Sequence, residues 1–184
     1  MDLFFSNNQC AAFLAQIIES FLRPHPRGYL GRTALQKLTY FCQALGVPIP
    51  CSFEIYNYGP YSDEVKFAVD SLIADEVVVD TSPQPRYSNY ELATNHSPFV
   101  GKMKKAVATH DQTIERVVEL FGGFSPLQLE LIATLHFIAK RHKGINGMVN
   151  KQAVLDDFEA VKQDKFDRSE VASWYESLRQ ANLI

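Results

Sequence analysis

The chain has 184 residues, of which 46% are hydrophobic and 12% aromatic, and a formal net charge of −3. That length and apolar content suit a single domain over 1–184, built from halves at 1–95 and 96–184 that share a core. The acidic balance is not that of a general nucleic-acid binder, and no apolar run nears the roughly 18 residues of a membrane helix. MDLFFSNNQ lacks the basic start of a signal peptide, and three cysteines without close spacing fit a reducing cytoplasm, so a cytoplasmic location is expected.

Residues 3–22 place Cys10, Phe13, Leu14, Ile17, Ile18 and Phe21 on one face of an amphipathic helix. RPHPRGYLGR follows as a loop. Leu35, Leu38, Phe41, Cys42 and Leu45 mark a second helix, with Thr33 and Gln36 as a capping box at its start and Gly46 and Pro48 at its end. Phe53, Ile55 and Asn57 alternate with Glu54, Tyr56 and Tyr58, which predicts a short strand entering a turn at Gly59-Pro60. Ser62 opens a third helix with Asp63 and Glu64 in its first turn, where the helix dipole favours acids. Its buried face is Val65, Phe67, Ala68, Val69, Leu72 and Ile73. Val77 to Val79 and Tyr87 to Leu92, parted by the turn-rich TSPQP, predict a β-hairpin.

A helix is expected over 98–109, then DQTIERVVELF up to Gly122-Gly123. Ser125 and Gln128 form a capping box ahead of the most apolar helix, whose basic end holds Lys140, Arg141 and His142. Helices near 150–162 and 168–181 close the chain, the last begun by Asp167 and Glu170. The fold class is therefore mainly α with a small β-hairpin: a winged-helix-like N-terminal unit packed on a C-terminal helical unit. Residues 63–78 also align without gaps on 169–184, sharing Glu64/Glu170, Val65/Val171, Ser71/Ser177 and Leu72/Leu178. Those identities fit either a degenerate repeat or a chance likeness between amphipathic helices.

LQKLTYFCQ, then YNYGPYS, then a Ser-capped helix running into a short apolar strand resembles the Panacea antitoxin-like family of bacterial and phage proteins. The matching positions are Lys37, Leu38, Tyr40, Gln43, Tyr58, Gly59 and Pro60, and the likeness is good over 32–80. The resemblance implies a winged-helix-like protein that neutralises a toxin by binding it, with these motif residues mostly structural.

No catalytic constellation shows in the sequence. Cys10 and Cys42 lie on apolar faces, and Cys51, in a loop between Pro50 and Ser52, is expected to be the better exposed thiol but has nothing near it in sequence to activate a thiolate. The five histidines lack metal-ligand spacing, and no glycine-rich phosphate loop follows a strand. We therefore expect no catalytic residue, metal or cofactor. Packing is the expected role of Tyr58, Gly59 and Pro60, while Tyr56, Tyr61, Asp63, Glu64, Lys66 and Asp70 are the candidate partner-binding residues. Arg86, Lys104, Lys105, Lys140, Arg141 and Lys143 are candidate nucleic-acid contacts, a role disfavoured by the acids of helix 62–76. The reading is a non-enzymatic, antitoxin-like cytoplasmic interaction protein that masks a protein partner such as a toxin, with a homodimer compatible. The alternative is a winged-helix DNA-binding transcriptional regulator.

Overall fold

The computed structural model describes residues 9–26, 28–93, 107–146 and 149–184, with the backbone alone at 144–146. Residues 3–8 of the first expected helix, and most of the 98–109 helix with Lys104 and Lys105, lie outside that set. In chain order the elements are α1 (Gln9–Leu22), α2 (Arg32–Ala44), β1 (Glu54–Tyr56), β2 (Gly59–Tyr61), α3 (Asp63–Ala74), β3 (Val78–Asp80) and β4 (Tyr90–Leu92). A 3-10 turn at Ala108–His110 leads into α4 (Asp111–Phe121), followed by α5 (Pro126–Asn146), α6 (Lys151–Lys162) and α7 (Arg168–Gln180). The class is mainly helical, as the periodicity implies.

α1 is surrounded by protein because it has almost no polar face: Ala11, Phe13, Leu14, Ile17 and Ile18 are wholly buried. It packs on α2, α3, α4 and β4, while α5 packs on α2, α6, α7 and β2. α2 touches both groups, and its Phe41 ring stacks flat on Phe121 of α4 at 3.9 Å between centroids. The core is continuous through α2.

Several local signals act as the sequence suggests. Ser62 accepts from the Val65 amide, Asp167 accepts from the amides of Ser169 and Glu170, and Ser125 and Gln128 bond each other's amides. β3 and β4 pair antiparallel, Val78 facing Leu92. α3 and α7 end alike, with Glu76 and Asn182 left-handed (φ 54 and 56) and amide bonds from Val77 to Leu72 and from Leu183 to Leu178. α2 stops the same way at Gly46 (φ 99), so this ending is a general helix stop.

Three expectations are corrected. Thr33 does not cap α2: Gly31 is the N-cap, and Gln36 is buried, bonding the amide and carbonyl of Ser62. Gly59-Pro60 is not a turn but part of β2, paired so that Tyr56 faces Gly59, with Asn57-Tyr58 as the turn. The fold thus has two small hairpins, and a proline fits β2 because a two-stranded sheet leaves its outer edge unpaired. Phe67 leaves the core of α3 and is 60% exposed, because α1 covers only the Val65, Ala68, Val69 and Leu72 face.

Candidate functional site

Arg32, Thr33, Gln36 and Lys37 share one face of α2 at helical spacing, and that face is the floor of a groove of about 500 Å³. The loop before α2 contributes Tyr29, the β1–β2 hairpin contributes Tyr56, Tyr58 and Tyr61, and the β3–β4 loop contributes Arg86, Tyr87 and Ser88. Tyr29, Tyr56, Tyr58 and Tyr87 are all more than half exposed. The described lining holds three cations and no carboxylate, in a chain whose net charge is −3.

Under the first hairpin lies a buried charge cluster. Glu130 of α5 is 2% exposed and accepts from Lys162 at 2.8 Å and from Lys165 at 2.7 Å. Lys162 also donates to the Asn57 carbonyl at 2.9 Å, and Lys37 donates to the Pro60 carbonyl at 2.8 Å. Lys162 and Lys165 therefore share one carboxylate, and Lys37 feels its field. Burial, opposed by Glu130 and reinforced by Lys162, brings the Lys37 ammonium down to about 7. Lys165 also sits 5.2 Å from the centre of the Tyr58 ring, a cation–π distance. Gly59 makes the close approach possible: at φ 85, an added Cβ would lie 2.6 Å from the Thr134 hydroxyl.

The second hairpin is held by its own side chains. Asp80 accepts from the amides of Ser82 and Asn89, and the Asn89 side chain donates to Thr81 and Glu91. Asn89 also accepts from the Leu30 amide, and Arg32 donates to the Ser88 hydroxyl at 3.2 Å.

Beyond the Tyr56–Tyr61 pair, whose ring centres are 5.8 Å apart, a second cavity of about 420 Å³ is lined by Ser52, Glu54, Asp63 and Glu64. The Ser62 hydroxyl donates to Glu64 at 2.8 Å and holds its carboxyl below the usual range.

The motif residues divide between packing and surface. Leu38 is wholly buried, Tyr40 donates to His136 Nδ1 at 2.7 Å, and Gln43 donates to the carbonyls of Ile49 and Cys51. His136 Nε2 lies 3.1 Å from the Leu183 carbonyl, so this nitrogen carries the proton. Tyr58, expected to pack inside, is instead 61% exposed on the groove. Tyr56 is exposed, Tyr61 half-buried, and Asp63, Glu64, Lys66 and Asp70 are exposed. Of the described basic candidates only Arg86 lines the groove; Lys140, Arg141 and Lys143 lie at the far end of α5. Tyr29 and Tyr87 were missed, whereas Arg32 stands out in the sequence only as one of several basic residues around the first loop. The signal that marks them is tyrosine close to arginine in a turn, in RGYLGR and QPRYSN.

Cys51 is not the exposed thiol expected: it is 9% exposed, and its sulfur is 2.7 Å from that of Cys10. That contact and burial push the Cys10 thiol up, and burial does the same to Cys42. Among the described residues no group of His, Cys, Asp and Glu is arranged to hold a metal, and no helix is long and apolar enough to cross a membrane.

No family model matches the chain. It is 28% identical over 128 residues to the DNA ADP-ribosyl glycohydrolase of Thermus aquaticus, a match covering 67% of this chain and 34% of that protein. The chain thus spans about a third of that relative's length. A relative named as a glycohydrolase overturns the expectation of a non-enzymatic antitoxin-like interaction protein, its regulator alternative, and the placing of the chain outside enzymes.

Proposed function

We propose that this chain takes part in removing ADP-ribose from DNA, with the tyrosine-walled groove holding the substrate. The observation carrying the proposal is the likeness to a DNA ADP-ribosyl glycohydrolase. The groove supports it: nucleic acid, disfavoured by the overall charge, meets a local surface with cations and no acid. Hydrolysis of a glycosidic bond requires carboxylates that activate water and offset the positive charge developing on the sugar ring. Glu54, Asp63 and Glu64, across the Tyr56–Tyr61 wall, are the candidates for that work. Glu64, held ionised by Ser62, suits the charge-stabilising role.

In this reading the helix–helix–hairpin order of α2, α3 and β3–β4 is winged-helix-like, and the β3–β4 loop is the wing closing one side of the groove. The Panacea resemblance over 32–80 is a proposal about ancestry alone. The test is incubation of the purified chain with an ADP-ribosylated oligonucleotide, following free ADP-ribose by mass spectrometry. Release above the buffer control, reduced at least tenfold by Glu64→Gln, is the expected result. No release by the folded chain overturns the reading.

A further inference from the structure

We propose that the groove floored by α2 is a nucleoside-phosphate site, in which an aromatic base lies against the tyrosines and its phosphate meets Arg32, Arg86 and Lys37. The choice of probes rests on the reading above, but the groove's own chemistry carries the inference. Tyr29, Tyr58 and Tyr87 come from three separate segments, yet all line one cavity and each is more than half exposed. Rings clustered at one cavity mark a contact surface more than scattered ones do, and a base offers each a flat face to stack on, as in single-strand binding sites.

The charges select the other half of the ligand. The described lining holds Arg32, Lys37 and Arg86 without one carboxylate, so a cationic ligand has nothing to pair with and an anion does. Lys37 makes this more than a surface arginine pair. It is 2% exposed, is anchored on the Pro60 carbonyl at 2.8 Å, and feels only the field of Glu130, which Lys162 and Lys165 already engage. An anion placed beside Lys37 favours its protonated form, which burial and Lys162 otherwise disfavour. The volume, about 500 Å³, matches a nucleotide-sized guest, within the roughly 300–1,000 Å³ of small-ligand sites.

ADP-ribose and a DNA strand both supply this chemistry, and calorimetric titration separates them. The full chain is titrated with ADP-ribose, with short single-stranded DNA and with inorganic phosphate, then repeated for Tyr87→Ala, Tyr87→Phe and Arg86→Ala, all exposed positions that leave the core intact. Saturable binding of either nucleotide probe, weakened at least tenfold in both Ala variants and kept within twofold in Tyr87→Phe, is the expected result. Binding of ADP-ribose alone assigns the site to the modification, and binding of the strand alone assigns it to the DNA. No binding of either probe, equal binding in the Ala variants, or phosphate binding as tight as the nucleotides overturns the site. Failure here beside continued ADP-ribose release removes the groove but not the activity, whereas nucleotide binding without release does the opposite.

Discussion

The two hairpins that wall the groove are built on opposite principles. β1–β2 makes its outward bonds to buried cations: Lys37 holds Pro60, Lys162 holds Asn57, and Glu130 ties Lys162 and Lys165 together beneath them. β3–β4 relies on exposed and half-buried side chains of its own, Asp80, Thr81, Asn89 and Glu91, with Asn89 and Ser88 reaching back to Leu30 and Arg32. Bonds shielded from water are individually strong and expensive to break, while solvent competes directly for the second set. The difference teaches that one wall is fixed in place and the other is free to adjust to a ligand, which is how a rigid scaffold carries an adaptable loop.

Removing the shared carboxylate gives the largest break in that contrast. Glu130→Gln leaves the buried lysines without a counter-charge and should cost roughly 3–5 kcal/mol. Thermal unfolding should show the transition lowered by about 10 °C in a chain of this size. A transition within a few degrees of wild type would mean the first hairpin does not depend on the cluster.

Acid should act next. His136 bonds Tyr40 of α2 and the Leu183 carbonyl, and burial, helped by Lys140, lowers its pKa from the ordinary 6.5 to about 4. As pH falls through that window the unfolded chain takes up a proton that the folded chain refuses, so stability is lost between 6.5 and 4. The loss is on the order of 3 kcal/mol. Denaturant unfolding at pH 6.5 and pH 5 should show a clear decline in wild type and a flatter one in His136→Phe. Parallel declines would remove His136 as the cause.

The smallest effects compare the hairpins directly. Gly59→Ala forces a side chain into a left-handed residue and against Thr134, and should cost about 2 kcal/mol. Asn89→Ala removes exposed and part-buried bonds and should cost about 1 kcal/mol, with faster hydrogen exchange at the Leu30 amide. If Asn89→Ala proved the costlier of the two, the assignment of fixed and adjustable walls would be reversed.

Much of this was legible in single segments. The Ser62, Ser125 and Asp167 caps, the stripe on α1 and the β3–β4 pairing follow from spacing and turn chemistry. Phe67 misled because periodicity marks an apolar stripe without saying how much of it a neighbour will cover. Tyr58 misled in the other direction: an aromatic beside Gly-Pro looks like packing until the hairpin turns it outward. Overall charge also hid the site, because a net −3 averages over a cation-lined groove and an acidic α3 surface.

By itself, then, the amino-acid order determined where helices start and stop, which helices are apolar, and that Gly59 occupies a special backbone position. Only the tertiary structure decided that Lys37, Glu130, Lys162 and Lys165 form one cluster, and that Tyr29, Tyr58, Arg86 and Tyr87 face one cavity. Caps and stripes arise from interactions a few residues apart, whose geometry the local backbone dictates. The cluster and the groove join groups as far as 105 residues apart, and nothing in local spacing encodes which distant charges will meet.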